Sequence, residues 1–324
     1  MPVHGYSEES PLSGIPQRIT ISEVGPRDGL QIERTLVPAA VKIALIERLV
    51  AAGIDRIEVS AFVHPKVVPQ MADAEEVFAG LRRQPGVRYG ALVFNTRGAA
   101  RAIASGVDEL KVGMAASDTF NELNVKMTTE QGMRALDEIA ALVRGTRCQL
   151  VGAILTAFGC PYEGPVKPAK VHRMFEQLVD FGVPVIYLAD TTGVADPGSV
   201  RRTLEALTTR WPQQPIGLHL HNTRGLGLAN ALAGLEFGVV DFESSIGGLG
   251  GCPFAPRAVG NISTEDFVHM AHAMGIETGV DLDALIDAAR FAQDALGRSL
   301  PGMVMKAGKA TELHARDAPR VKVD

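Results

Sequence analysis

Short apolar runs rich in β-branched residues alternate along the chain with longer segments in which apolar residues recur at helical spacing. In VKIALIERLVAAG, for example, Val41, Leu45 and Leu49 fall on one stripe, and Gly53 supplies a stop signal. The apolar runs predict eight strands, at residues 18–24, 56–62, 88–94, 109–114, 149–155, 185–190, 216–221 and 241–246. The helical segments lie at 41–53, 71–83, 97–105, 129–144, 168–182, 197–210, 225–237 and 264–274.

Eight strand and helix pairs in strict alternation indicate an α/β protein with a parallel sheet, and eight of them closing on themselves make a (β/α)₈ TIM barrel. An open doubly wound sheet is the alternative, but no GxGxxG motif follows the first strand. DLDALIDAARFAQDAL (281–296) predicts an extra C-terminal helix. We therefore expect a catalytic barrel with this extension over 17–305, a flexible leader at 1–16 and a polar tail at 306–324.

The composition narrows the class of protein. Hydrophobic residues make up 46% of the 324 residues and the formal net charge is −5, whereas a nucleic-acid binder carries a basic balance, so a small-molecule partner is expected. No apolar run approaches the roughly 18 residues of a membrane span, and the start MPVHGYSEESPLSG lacks the features of a signal peptide. Three widely spaced cysteines predict reduced thiols. We expect a cytoplasmic protein with no nucleic-acid or membrane partner.

Two histidines lie two positions apart in GLHLHN (217–222), at the end of a predicted strand. Because side chains alternate across a strand, His219 and His221 point to the same face. Two imidazoles side by side suggest a metal site, and the carboxylate they face across the barrel axis is expected to be Asp28 of VGPRDG. Asp28 could also be a turn residue, since Asp before Gly is common in turns. Two nitrogens and one carboxylate leave positions open for water and a chelating substrate.

Other unusual polar residues also fall at the carboxyl ends of predicted strands, where the chemistry of a barrel is located. They are Arg27, Glu58, Asp190, Cys252 and Asn261. The two carboxylates could equally be salt-bridge partners of Arg27 or Arg224. Cys252 could be a small buried hydrophobe, but its glycine-rich loop favours a mobile lid.

Five segments resemble the 3-hydroxy-3-methylglutaryl-CoA lyase family, a branch of a metal-dependent barrel superfamily that includes isopropylmalate synthase. They are VGPRDGLQIE, IEVSAFVHPKVVPQM, GCPYEG, HLHNTRGLGLAN and GGLGGCPFAPRAVGN. The resemblance implies that Mg²⁺ or Mn²⁺ is bound by Asp28, His219, His221 and Asn261. It also implies the residues of catalysis, namely the arginine Arg27, the thiol of Cys252 and the supporting carboxylates Glu58 and Asp190.

The resemblance also implies a reaction, the retro-Claisen cleavage of 3-hydroxy-3-methylglutaryl-CoA to acetyl-CoA and acetoacetate. An acyl-CoA would then be the small-molecule partner and leucine degradation the pathway. The additional C-terminal helix could serve a dimer contact, so a homo-oligomer, dimeric or larger, is expected.

Two positions depart from the usual family pattern and leave the substrate open. Asn222 stands where the well-known lyases carry aspartate, and Arg257 stands where a glycine is usual. Citramalyl-CoA and isohexenylglutaryl-CoA are therefore alternative substrates. An acetyl-CoA-dependent synthase, a CoA-independent metal aldolase of hydroxy-oxo acids and a non-catalytic sensor barrel are the alternative functions.

Overall fold

The computed structural model describes residues 14–251 and 260–311. Eight parallel strands close into a barrel in chain order, and β8 pairs with β1. The strands are β1 (Thr20–Glu23), β2 (Arg56–Ala61), β3 (Arg88–Leu92), β4 (Glu109–Ala115), β5 (Gln149–Leu155), β6 (Ile186–Asp190), β7 (Ile216–Leu220) and β8 (Asp241–Ser244). The predicted (β/α)₈ barrel is confirmed, and each strand lies within its predicted segment except β4, which extends one residue further.

Helices surround the barrel. They are α1 (Ala39–Ala51), α2 (Ala74–Gly80), α3 (Thr96–Ala104), α4 (Asp118–Val125), α5 (Thr129–Val143), α6 (Pro168–Asp180), α7 (Pro197–Arg210), α8 (Gly227–Glu236), α9 (Thr264–Ala273), α10 (Leu282–Leu296) and α11 (Val304–Ala307). The additional C-terminal helix is confirmed as α10. Two short helices, α4 and α11, were not predicted. Only Phe120 and Asn121 of α4 are buried, so no apolar stripe marks it in the sequence.

The two faces of the sheet have different characters. Most residues that point toward the helices are apolar, as Leu218 and Leu220 of β7 are, and these form the main hydrophobic core. Residues at the alternate positions point toward the barrel axis, and many of these are charged and buried. The buried interior charges are Arg56, Glu58, Glu109, Lys111 and Glu243. Because an isolated buried charge is costly, each of them needs a partner.

Ion pairs and one tyrosine hydroxyl, which accepts a hydrogen bond from Arg56 at 3.4 Å, occupy the amino-terminal end of the barrel interior. We call this group the floor cluster: Arg56, Arg88, Glu109, Tyr187 and Asp241. The Arg56 guanidinium donates to both carboxylate oxygens of Glu109, at 2.8 and 2.9 Å. It also donates to Asp241 at 3.3 Å, and Arg88 donates to Glu109 at 3.0 Å. The floor cluster therefore pairs its buried charges within itself.

The ends of the chain bear on the domain prediction. Residues 1–13 and 312–324 lie outside the described residues, so the boundaries of the leader at 1–16 and of the tail at 306–324 stay predictions. Among the helices of the two described ranges, none is both long and apolar enough to cross a membrane.

Candidate active site

A π-helical turn, Gly25–Gly29, follows β1 and carries Arg27 and Asp28. Three N–H groups of this turn donate to the carbonyl of Val24, which folds the chain over the carboxyl end of the barrel. The Glu23 carboxylate accepts the N–H of the first glycine at 2.7 Å. A Cβ on that glycine would lie 2.6 Å from the same carboxylate oxygen and 2.8 Å from Ile246 Cγ2, so a larger residue would displace these side chains.

Three of the four predicted metal ligands converge at this end of the barrel. One ligand atom from each of Asp28, His219 and His221 lies within 4.8 Å of the others, and all three residues are buried. The Nε2 atoms of the two imidazoles are 3.1 Å apart, as expected for residues two apart in extended chain at the end of β7. The fourth predicted ligand, Asn261, donates from Nδ2 to Asp28 Oδ2 at 2.7 Å. We call these four residues the ligand cluster.

The donor atoms of the ligand cluster fit a divalent cation. The Oδ1 atom of Asn261 is buried and has no hydrogen-bond partner among the described residues. A buried acceptor without a donor is costly, and a bound cation would satisfy it. The two imidazole nitrogens, at 3.1 Å, repel one another unless a proton or a cation shares their lone pairs. Two nitrogens, a carboxylate and an amide oxygen are ligands that suit Mg²⁺, Mn²⁺ or Zn²⁺.

Arg27 lies beside the ligand cluster and is fixed by two carboxylates. It donates from Nη1 to Asp28 at 2.6 Å and from Nε to Glu58 at 2.5 Å. Burial by itself lowers the pKa of Arg27, but Glu58 and Asp28 raise it above its ordinary value. For Asp28, burial by itself raises the pKa, but Arg27 and the two imidazoles lower it well below its usual range. The guanidinium and the Asp28 carboxylate are therefore both charged at neutral pH. Of the two partners the sequence allowed for Glu58, the structure gives it Arg27.

Two buried charged residues beneath the histidines were not among the predicted site residues. His219 Nδ1 lies 2.8 Å from an oxygen of Glu243. The ammonium group of Lys111 contacts both carboxylate oxygens of Glu243 and lies 3.5 Å from Glu58. Burial opposes ionisation of Glu243, but Lys111 and His219 lower its pKa to about 2. The available signal was a charge at alternate positions of the strands ELKVGM and DFESSI, which places those side chains on the barrel axis.

Asp190 does not join the ligand cluster. The register of β6 and β7 pairs it with Leu220, a residue of the outer core. Its two oxygens accept the N–H groups of Val194 and Ala195 at 2.9 and 3.0 Å. Burial raises the pKa of Asp190, and these backbone bonds act in the opposite direction. The contacts of Asp190 thus hold the loop between β6 and α7, and its catalytic role stays a prediction.

Two further predicted positions, Cys252 and Arg257, lie outside the described residues.

The described segments on either side of residues 252–259 are held by buried carboxylates. Glu23 accepts the N–H of Ile246 at 2.9 Å and the hydroxyl of Thr264 at 2.6 Å, and burial raises its pKa to about 7. Glu265 accepts the N–H of Gly247 at 3.0 Å, and burial also raises its pKa to about 7. The segments that follow β1 and β8 are therefore joined beside the ligand cluster.

Comparison with known proteins identifies the family of this chain. The family model described as HMGL-like matches residues 18–292, which is most of the chain and all of its barrel strands. This chain belongs to the HMGL-like family. The resemblance to 3-hydroxy-3-methylglutaryl-CoA lyases is thereby confirmed.

Individual HMGL-like proteins match over most of their length. The (R)-citramalyl-CoA lyase of Chloroflexus aurantiacus is 43% identical over 302 residues, which are 90% of this chain and 95% of that protein. The hydroxymethylglutaryl-CoA lyase of Bacillus subtilis is 41% identical over 296 residues, 91% of this chain and 99% of that protein. The solved structure of an HMG-CoA lyase from Acinetobacter baumannii, in complex with coenzyme A and 3-methylmalate, superposes with a TM-score of 0.89. It is 43% identical and covers 96% of this chain and 99% of its own.

Proposed function

We propose that this chain is a metal-dependent carbon–carbon lyase that cleaves 3-hydroxy-3-methylglutaryl-CoA to acetyl-CoA and acetoacetate. The observation that carries the proposal is the ligand cluster, in which three buried residues have ligand atoms within 4.8 Å of one another. Beside them lies an amide oxygen without a hydrogen-bond partner in the part of the chain that the structure describes, and Arg27 is paired to one member of the cluster. Relatives named as lyases of acyl-CoA thioesters support the substrate class. The charged guanidinium and the carboxyl-end location both suit a reaction in which negative charge develops.

The ligand cluster would hold Mg²⁺ or Mn²⁺ through Asp28, His219, His221 and the amide oxygen of Asn261. A divalent ion bound there supplies Lewis-acid polarisation of the substrate's tertiary hydroxyl and orients the substrate. A carboxylate or imidazole of the site then takes the hydroxyl proton as the neighbouring carbon–carbon bond breaks and the new carbonyl forms.

Arg27 stabilises the charge that the broken bond leaves behind. The electron pair of that bond moves onto the thioester carbonyl and gives an enolate, and a guanidinium at this oxygen lowers the energy of the transition state. Glu58 holds Nε and Asp28 holds Nη1, which fixes the plane of the group before the substrate binds. Cys252 donates its thiol proton to the enolate carbon and so completes acetyl-CoA.

The test is the release of acetyl-CoA from a panel of thioesters, measured by chromatography with Mg²⁺ and with EDTA. The proposal expects cleavage of 3-hydroxy-3-methylglutaryl-CoA that EDTA abolishes. Asp28→Asn should be inactive, whereas the matched control Glu109→Gln, which changes a floor-cluster carboxylate in the same way, should keep its turnover when folded. Metal-independent cleavage, or no cleavage of any member of the panel, would contradict the proposal.

Citramalyl-CoA is the second candidate substrate, since one relative at 43% identity is a citramalyl-CoA lyase. Its cleavage in the same way gives acetyl-CoA and pyruvate. Isohexenylglutaryl-CoA completes the panel, and the member with the highest kcat/KM identifies the substrate. A CoA-independent aldolase would instead cleave free hydroxy-oxo acids, which the panel includes as controls.

The thiol has its own test. Cys252→Ala should lower kcat by roughly 10²- to 10⁴-fold, the range for loss of a positioned proton donor. Cys148→Ala is the matched control, because Cys148 is buried just before β5, at the opposite end of the barrel. Unchanged turnover in Cys252→Ala would remove the thiol from the mechanism.

The pathway, the compartment and the oligomeric state of the enzyme are also part of the proposal. A product pair of acetyl-CoA and acetoacetate suits leucine degradation, with the chain acting in the cytoplasm as a homo-oligomer. Light scattering on the purified protein tests the oligomer, and growth on leucine after gene deletion tests the pathway.

A further inference from the structure

The residues beneath the ligand cluster form a continuous chain of opposite charges. It starts at Asp28, which is 2.6 Å from Arg27, and Arg27 is in turn 2.5 Å from Glu58. Lys111 continues it, lying 3.5 Å from Glu58. Lys111 then contacts Glu243, and Glu243 contacts His219, which belongs to the ligand cluster. The chain of charges therefore begins and ends on two of the predicted metal ligands.

The last contact of this chain controls which ring nitrogen faces the ligand cluster. His219 Nδ1 is directed at the Glu243 carboxylate, 2.8 Å away, and an ionised carboxylate can only accept a hydrogen bond. The proton of the neutral ring is therefore held on Nδ1, and the lone pair lies on Nε2. That atom is the one beside His221. The other tautomer would place an N–H where a cation must bind.

Lys111 in turn determines where Glu243 lies. Glu243 is only 3% exposed, so water cannot orient its carboxylate. The ammonium of Lys111 bonds both of its oxygens, and Lys111 extends from β4 on the other side of the barrel interior. The carboxylate is thereby held in a single position against the imidazole.

We propose that Glu243 and Lys111 are positioning residues of the metal centre, with Glu243 orienting the His219 ring and Lys111 orienting Glu243. This inference rests on the metal-dependent function proposed above. A purely structural ion pair would affect only the stability of the fold. The positioning role predicts in addition that the Glu243–Lys111 pair affects metal affinity, which the floor cluster should not do.

The experiment is a calorimetric titration of the metal-free full chain with Mn²⁺, with the melting temperature of each metal-free variant recorded in parallel. The variants are Glu243→Gln, Lys111→Met and the double variant. Glu109→Gln is the matched control, since Glu109 is an equally buried carboxylate of the same barrel interior that bonds Arg56 and Arg88 but not the ligand cluster.

Glu243→Gln should weaken Mn²⁺ binding by roughly 10- to 100-fold, the usual effect of removing the partner of a metal-bound histidine. Lys111→Met gives the sharper result. If the lysine acted only through its charge, removing a cation would tighten Mn²⁺ binding, whereas a positioning role predicts weaker binding. The double variant should bind no more weakly than Glu243→Gln, because both residues act through one hydrogen bond. Glu109→Gln should have a lower melting temperature and an Mn²⁺ affinity within about twofold of the wild type.

Two outcomes would separate this inference from the proposed function. If the wild type binds Mn²⁺ and Glu243→Gln binds it within twofold of the wild type, the positioning role is overturned and the metal-dependent function stands. If the wild type itself binds no Mn²⁺, both are overturned. Should Glu243→Gln fail to fold because Lys111 loses its main partner, the double variant carries the same test without that unpaired charge.

Discussion

The interior of this barrel holds two groups of buried polar residues that differ in one respect. The floor cluster pairs its charges internally, with the Arg56 guanidinium on both oxygens of Glu109. The ligand cluster, at the other end of the same barrel, brings together acceptors, two imidazole nitrogens and two oxygens, and Asn261 Oδ1 has no hydrogen-bond partner among the residues that the structure describes. Burial and charge alone do not distinguish the two groups. The balance of donors and acceptors does, and the group with excess acceptors is where a cation fits.

The sharpest way to break this comparison is to remove one arginine from each region. Arg27→Met should lower kcat by about 10²- to 10³-fold, which is the cost of losing one group that stabilises an oxyanion. Arg56→Met leaves Glu109 buried with Arg88 alone and should cost about 3 kcal/mol of unfolding free energy. Steady-state kinetics and urea denaturation of both variants test the division. A kinetic loss in Arg56→Met as large as that in Arg27→Met would erase the distinction between the regions.

Metal removal gives the next largest effect. A ligand present at 100 times its Kd stabilises a folded protein by about 2.7 kcal/mol, so EDTA should lower the melting temperature of the wild type by several degrees. Glu109→Gln should keep this response, and His219→Ala should lose it. Differential scanning fluorimetry with and without Mn²⁺ measures both. An EDTA response that survives in His219→Ala would place the metal elsewhere.

The smallest expected effect is a change in the pH dependence of stability. It arises from the buried carboxylates that hold the segments following β1 and β8. Burial raises the pKa of Glu265 from 4.5 to about 7 in the folded state. The folded chain therefore holds a proton that the unfolded chain releases between these values. This contribution to stability is full below about pH 4.5 and is lost as the pH rises to about 7. Glu265→Gln should flatten the fall in unfolding free energy between pH 5 and pH 8 by about 1–3 kcal/mol.

The titration of Asp28 falls outside the pH range in which Glu265 acts. The pKa of Asp28 is lowered, so its contribution is present above about pH 4 and is lost only as the pH falls further. Urea denaturation at pH 5, 6, 7 and 8 is the measurement. Equal slopes for the wild type and Glu265→Gln would contradict the raised pKa.

The barrel followed from the sequence because its strands are buried on both faces and its helices carry clear apolar stripes. The convergence of Asp28 with the two histidines followed from one geometric rule, that the carboxyl ends of barrel strands meet at one mouth. Lys111 and Glu243 could not be assigned in the same way. Each lies in a strand chosen for its apolar residues, and its partner stands on a different strand more than a hundred residues away, so the pairing needs the register of the closed barrel.

Asp190 illustrates the opposite difficulty. Its position at the end of β6 made it a candidate for the mouth of the barrel, yet the register directs its side chain toward a loop that it holds by two backbone bonds. Position along the chain places a residue at an end of the sheet. The face on which it projects depends on strand register, which is fixed only when neighbouring strands pair.

The bonds of Glu23 have a consequence for how the protein is made. Two of its partners, Ile246 and Thr264, lie 223 and 241 positions later in the chain and are therefore synthesised long after it. A growing polypeptide that stops before Asn261 already contains β8 but lacks one predicted ligand and the hydrogen bond from Thr264 to Glu23. The proposed metal site is thus complete only after Asn261 has been added, and tight binding of a divalent ion would mark a molecule in which the segments that follow β1, β7 and β8 have come together.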